Sequence, residues 1–118
     1  ESELRAAIAG EVTVSIAGVN GPKLTVIAGP EGAVTKILEK VSARSTRLEV
    51  SHAFHSPLMG NVAKQLKKIM EVVTLHAPSG PTQLISNVTG ERATAAVATP
   101  EYWAEHVLQP VLFQQGMQ

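Results

Sequence analysis

There is no cysteine among the 118 residues, which removes disulfides, thiolate nucleophiles and cysteine-ligated zinc together. There is no aspartate either. All ten acidic residues are glutamates, so the chain cannot supply a Ser-His-Asp triad by itself. Aromatics make up only 3%, which leaves any core to be built from Ala, Val, Ile and Leu. No apolar run approaches the roughly 20 residues of a membrane span, and no signal-peptide pattern opens the chain. Ten Lys and Arg balance the ten glutamates, so no electrostatic field favours nucleic acid or an anionic membrane. The expected partners therefore include neither nucleic acid nor membrane, and the expected compartment is cytoplasmic.

What is present fits one compact domain, or a stretch of a larger one. A self-contained domain of this length buries about two-thirds of its unfolded surface, enough for a single core. The chain begins at Glu1 without methionine and ends at Gln118, shortly after the apolar Pro110-Val111-Leu112-Phe113. Both ends read as cuts through a longer polypeptide.

Leu4 and Ile8 at i,i+4, with Gly10 as a stop, predict a short helix over residues 1–9. Val12, Val14 and Ile16 alternate with Thr13 and Ser15, the pattern of a half-buried strand. Asn20-Gly21-Pro22 signals a turn, and Leu24-Thr25-Val26-Ile27 a second strand, in a hairpin with more than the minimal loop. Pro30 opens a helix with Ala33, Val34, Ile37, Leu38 and Val41 on one face; Arg47 to Val50 reads as a third strand. Ser56 and Pro57 are suited to cap and begin the next helix, whose stripe is Leu58, Val62, Leu66, Ile69, Met70 and Val73. Lys64, Lys67, Lys68 and Glu71 lie off that stripe, on a solvated face. Leu84-Ile85-Ser86 reads as a short buried strand, Gly90 to Thr99 as a loop, and Thr99-Pro100-Glu101 as the capped start of a helix through Val107. Helix, hairpin, helix and strand make an α+β unit of the ferredoxin-like βαββαβ kind with its first strand missing.

The histidines are His52, His55, His76 and His106. A lone histidine is more often structural than catalytic, because chemistry needs a positioned partner. His52 and His55 stand apart: they lie between a predicted strand end and a capped helix, a junction that sets side chains at a rim. Zinc binding by that pair lacks a third ligand at matching spacing, and no metal site is expected.

Ser51-His52-Ala53-Phe54-His55-Ser56-Pro57-Leu58-Met59 resembles the active-site histidine motif of malonyl-selective acyltransferase domains in polyketide synthases. Further matching segments are Ile16-Ala17-Gly18-Val19-Asn20-Gly21-Pro22, Ser86-Asn87-Val88-Thr89-Gly90, and Tyr102-Trp103 followed by His106 and Pro110-Val111. They occur in the family's order and approximate spacing over essentially the whole chain.

The resemblance implies that a serine in a G-H-S-x-G turn takes a malonyl group from coenzyme A and passes it to the phosphopantetheine thiol of an acyl carrier protein. His55 would be the general base, its second nitrogen held by a backbone carbonyl assigned to His106, whose ring receives no role. Phe54 would fill the volume of a C2 methyl group, since methylmalonyl-selective relatives carry serine there and tyrosine at the position of His52. Asn20 would line the substrate cleft, although any turn also favours Asn-Gly. Residues 1–54 would belong to a ferredoxin-like small subdomain and 55–118 to a segment of an α/β hydrolase-like large one. No cofactor would be bound by this chain; coenzyme A thioester and phosphopantetheine arrive as substrates, and the partners are the carrier protein, the rest of the domain and adjoining synthase domains. No serine here has the G-H-S-x-G setting, and Arg92 does not match the arginine that pairs the malonyl carboxylate. Two other readings remain open: a carrier-binding module without chemistry, and a discrete fatty-acid-type transacylase.

Overall fold

The computed structural model describes all 118 residues. Helix α1 (Ser2–Ile8) forms where expected, with an exposed Glu1–Arg5 ion pair at 2.6 Å across its first turn. The strand that follows does not begin at Val12. The Glu11 carboxylate accepts from the Thr13 amide at 3.1 Å and from its hydroxyl at 2.5 Å, which folds Val12 and Thr13 into a turn. Those two bonds hold the Glu11 carboxyl below the usual carboxylate range. Strand β1 therefore runs Ser15–Gly21 and pairs antiparallel with β2 (Leu24–Ala28). Asn20 and Gly21 stay in the strand, with Gly21 opposite Leu24, so the loop is Pro22 and Lys23 alone.

Ile16, Ala17 and Val19 are all buried, with no alternation. The reason is that α1 and a short C-terminal helix pack against β1, which a strand covered on one side only would not show. The edge of β1 away from β2 is occupied as well. The Val19 amide donates to the Val111 carbonyl at 2.9 Å and the Val111 amide to the Ala17 carbonyl at 2.8 Å, a parallel bridge 92 to 94 residues away in sequence.

Helix α2 (Glu31–Leu38) buries Ile37 and ends before Val41. Arg47 to Val50 forms no strand. No other strand lies beside it, and an extended segment without a neighbour gains no ladder bonds. Leu48 and Val50 are 56% and 63% exposed, and only the Arg47–Glu31 ion pair ties the segment back to α2.

Ser56 does not cap with its side chain. Its hydroxyl is fully buried and donates to the Ala53 carbonyl at 2.5 Å, while Pro57–Met59 makes a 3₁₀ turn leading into α3 (Gly60–Glu71). The face of α3 that this chain buries is Met59 and Ala63, flanked by half-buried Leu66 and Met70; Leu58, Val62, Ile69 and Val73 are exposed. Lys67 is half-buried instead of solvated and reaches Glu101 at 3.6 Å. Its partner helix α4 (Pro100–Leu108) starts as predicted: the Thr99 hydroxyl accepts from the Tyr102 amide. Leu84-Ile85-Ser86 is not a buried strand. Ile85 makes one isolated bridge to Arg92, Leu84 and Ile85 are exposed, and only Ser86 is buried, accepting from the Val88 and Thr89 amides at 3.2 and 3.3 Å. A 3₁₀ turn at Ala95–Ala98 interrupts the small-residue loop, and α5 (Phe113–Gly116) closes the chain.

The single core predicted from length does not materialise. Only 12 of 118 residues are buried, and the radius of gyration is 15.7 Å. A compact domain of this length has about 13.5 Å. Most of the apolar surface on α3 and on residues 48–50 is thus uncovered within these residues.

Gly29 offers a sharp test of the hairpin's closeness. A Cβ there would sit 2.7 Å from the Thr13 carbonyl oxygen and 2.9 Å from a Val14 methyl, whereas one at Gly32 meets nothing within 4 Å. Gly29→Ala should cost about 1–3 kcal/mol, and Gly32→Ala should stabilise α2 by about 0.5 kcal/mol. Denaturant midpoints check both; equal midpoints for the two variants would refute the packing described.

Candidate active site

His55 has φ +58°, and no other non-glycine residue has positive φ. That backbone costs about 1–2 kcal/mol for an L-residue, and such strain persists only where neighbours enforce it. Here they do so from two sides. The Ser15 hydroxyl, at the start of β1, donates to the His55 carbonyl at 2.8 Å. The His55 amide donates to the Val107 carbonyl at 3.2 Å, in the last turn of α4.

The ring is tied as well. His55 Nδ1 lies 3.0 Å from the Gln109 carbonyl oxygen. A carbonyl can only accept, so Nδ1 carries the proton, and in a neutral ring the lone pair is then on Nε2. Nε2 has no hydrogen-bond partner among these residues, and the residue is half-buried instead of sealed in a core. The arrangement is that of a base with one nitrogen anchored and the other free to take a proton.

The carbonyl belongs to Gln109 and not to His106. Carbonyls inside a helix run along its axis, and His106 lies within α4. Gln109 follows the helix with φ −80° and ψ 154°, which turns its carbonyl out sideways toward His55. Pro110 imposes that geometry by disfavouring helical backbone at the residue before it. The signal was available in the sequence as Gln109-Pro110. The roles of Ser15 and Val107 carried no local signal, because both depend on contacts distant along the chain.

The His106 ring stands edge-on to His55, with centroids 6.0 Å apart and planes at 69°. It also abuts Trp103 at 5.5 Å and Tyr102 at 6.1 Å. The end of a helix ordinarily favours a charged histidine. Burial, and next the proximity of His55, outweigh this and push the His106 pKa below the usual histidine range.

His52 and Phe54 lie together on the surface, rings 5.7 Å apart, and His52 Nδ1 is 2.8 Å from the Ser51 hydroxyl. Phe54 is 47% exposed, so it is not a core aromatic of this chain. Asn20 is exposed near the end of β1, and its side chain makes no hydrogen bond in the chain. A cleft of about 590 Å³ is lined by residues that include Val14, Ser15, Pro57, Gln109 and Pro110; His55 bonds to two of these, Ser15 and Gln109, but neither it nor His52, Phe54 or Asn20 lines the cleft.

Because the strain at His55 is a matter of φ alone, His55→Gly should be more stable than His55→Ala by about 1 kcal/mol. Thermal melts of the two variants measure this; an alanine variant as stable as the glycine one would contradict the left-handed backbone.

Comparison with known proteins agrees with this geometry. The acyl transferase domain family matches residues 1–118. The chain is 42% identical over 118 residues to the spectinabilin polyketide synthase system protein NorB of Streptomyces orinoci, covering 97% of this chain and 5% of that protein. The acyltransferase domain from the second module of the salinomycin polyketide synthase superposes with TM-score 0.90 at 41% identity, covering 99% of this chain and 28% of that one. The malonyl-CoA:ACP transacylase of Synechocystis sp. PCC 6803 superposes with TM-score 0.83 at 25% identity, covering 99% and 40%. The chain thus spans a small part of its curated relatives and under half of these solved structures. With a match along its whole length, it belongs to the acyl transferase domain family.

Proposed function

We propose that these residues supply the base and part of the acyl pocket of a malonyl-selective acyltransferase in a polyketide synthase. The observation that carries the reading is the His55 ring, anchored at Nδ1 by the Gln109 carbonyl with a basic Nε2. In this reading the nucleophilic serine, the carboxylate-binding arginine and the oxyanion donors come from polypeptide outside the 118 residues. Residues 1–54 form the ferredoxin-like small subdomain, its missing strand lying between β2 and residues 47–50, and residues 55–118 run through the large α/β subdomain. The absence of a paired strand beside Arg47–Val50 supports that arrangement.

In the first half-reaction, the serine oxygen bonds to the thioester carbon of malonyl coenzyme A and the C–S bond breaks. His55 Nε2 takes the hydroxyl proton and delivers it to the departing thiolate. In the second, the carrier protein's phosphopantetheine sulfur bonds to the ester carbon and the C–O bond breaks. The thiol proton passes through Nε2 back to the serine oxygen. The chain binds no cofactor in this scheme, and the setting is the cytoplasm. An aspartate is dispensable because a backbone carbonyl does the orienting, consistent with a chain that has none.

Phe54 and His52 set acyl selectivity, and Asn20, exposed near the end of β1, faces a substrate cleft completed by polypeptide outside the 118 residues. An exposed Phe54, its ring tilted at 47° to that of His52, is open to the approach of a substrate's acyl carbon. Excluding one methyl group is worth about 1–3 kcal/mol. The Synechocystis relative, whose name specifies malonyl-CoA, adds support for the substrate class.

Two outcomes test the proposal. In the complete acyltransferase domain carrying this segment, His55→Ala should lower transfer about 10²–10⁴-fold, measured as radiolabelled malonyl moving onto carrier protein; unchanged turnover with intact carrier binding would favour a docking module instead. The 118 residues alone, lacking a G-H-S-x-G turn, should show no stable acylation in the same assay. Separately, Phe54→Ser should shift the methylmalonyl-to-malonyl ratio of kcat/KM upward by about ten- to two-hundredfold. No shift in competition assays would remove Phe54 from selectivity.

A further inference from the structure

We propose that Ser15 and Ser56 are positioning residues whose hydroxyls clamp Phe54 and His55 in one fixed relation, so that acyl selectivity and turnover depend on the same two hydrogen bonds. The inference rests on His55 being the base and Phe54 the selectivity ring, as proposed above. A side chain leaves its Cα in a direction set by the planar peptide units on either side. Three such units flank Phe54 and His55, and each is held by one bond. The Ser56 hydroxyl donates to the Ala53 carbonyl at 2.5 Å, the His55 amide to the Val107 carbonyl at 3.2 Å, and the Ser15 hydroxyl to the His55 carbonyl at 2.8 Å.

His55 and Phe54 share the middle unit of the three, so rotation of either outer one disturbs both side chains. His55 is the residue with a reason to rotate, because its φ of +58° relaxes unless neighbours enforce it. Phe54 is 47% exposed, so the backbone beneath it, more than packing, sets where its ring stands. The Val107 bond joins main chain to main chain and forms whatever the side chains are. The two serine bonds are the ones that depend on residue type. Ser56 is fully buried, which keeps its hydroxyl from substrate and leaves it the Ala53 carbonyl alone. Ser15 reaches His55 from 40 residues away and ties the segment to the sheet. It stands in a strand and lines the cleft of about 590 Å³, a setting that admits a β-branched replacement.

The test uses the complete acyltransferase domain, assayed below the melting temperature of every variant. Ser15→Ala should lower kcat for malonyl transfer about ten- to a hundredfold and leave KM for malonyl-CoA within about twofold. The same variant should raise the methylmalonyl-to-malonyl ratio of kcat/KM about three- to tenfold, less than Phe54→Ser does. That ratio is a readout which a merely structural role would not move. Ser15→Thr keeps the hydroxyl and should recover both quantities, whereas Ser15→Val, of the same shape, should recover neither. Ser56→Ala should change both in the direction of Ser15→Ala; if it does not fold, the Thr–Val comparison decides. An unchanged ratio in Ser15→Ala, or equal behaviour of the Thr and Val variants, would overturn the inference. His55→Ala and Phe54→Ser run alongside separate the levels. Retained turnover in the first sinks the base, an unshifted ratio in the second sinks the selectivity ring, and either result takes the clamp with it. Both behaving as proposed beside a normal Ser15→Ala sinks the clamp alone.

Discussion

Two backbone hydrogen bonds between Val111 and β1 hold the site together. By clipping residues 110–112 to Ala17 and Val19, they bring the end of α4 to the end of β1 that contains Ser15. His55 sits where these two elements meet and takes one anchor from β1 and two from the end of α4. None of the three is a strong interaction alone; a net hydrogen bond contributes about 1 kcal/mol. Together they offset the left-handed backbone at His55 and hold Nδ1 on the Gln109 carbonyl. Main-chain carbonyls do the aiming, which makes the geometry insensitive to the identity of the side chains at 107 and 109.

The parts of this arrangement that were readable in the sequence are those decided within a few residues. Thr99 caps α4, Pro100 begins it, and Leu4 with Ile8 defines α1, because capping and one-turn spacing are local physics. The histidine nonapeptide likewise singled out His55. Where the structure departs from local pattern, a competing interaction is the cause. The Glu11–Thr13 pair delayed β1, although Val12 and Val14 alternate as a strand should. Arg47–Val50 has the composition of a strand, but a strand exists only with a neighbour. The family resemblance points to His106 for the carbonyl, whereas the X-Pro rule points three residues onward to Gln109, where the structure has it. Ser56 had the look of a cap, and its hydroxyl turned back to Ala53 instead.

The contrast between α3 and α4 shows how far packing departs from amphipathic pattern. On α4 the face bearing Tyr102, Trp103 and His106 is satisfied by contacts inside the chain. Around α3 four residues of the apolar stripe read from the sequence, Leu58, Val62, Ile69 and Val73, are left exposed, Leu66 and Met70 are half-buried, and the chain buries Met59 and Ala63 beside them. The stripe was a correct statement about hydrophobicity and an incorrect one about which neighbour these residues provide.

The outer margin of β2 bears on how the molecule behaves in a test tube. Only β1 pairs with β2, so one row of its peptide groups faces outward, with Leu24 exposed at its end; Leu48 and Val50 are exposed in the unpaired extended segment. A bare strand margin with apolar side chains is a template for self-association. Expressed by itself, this polypeptide would tend toward oligomers and inclusion bodies, and charged substitutions along that margin are the rational route to a tractable sample.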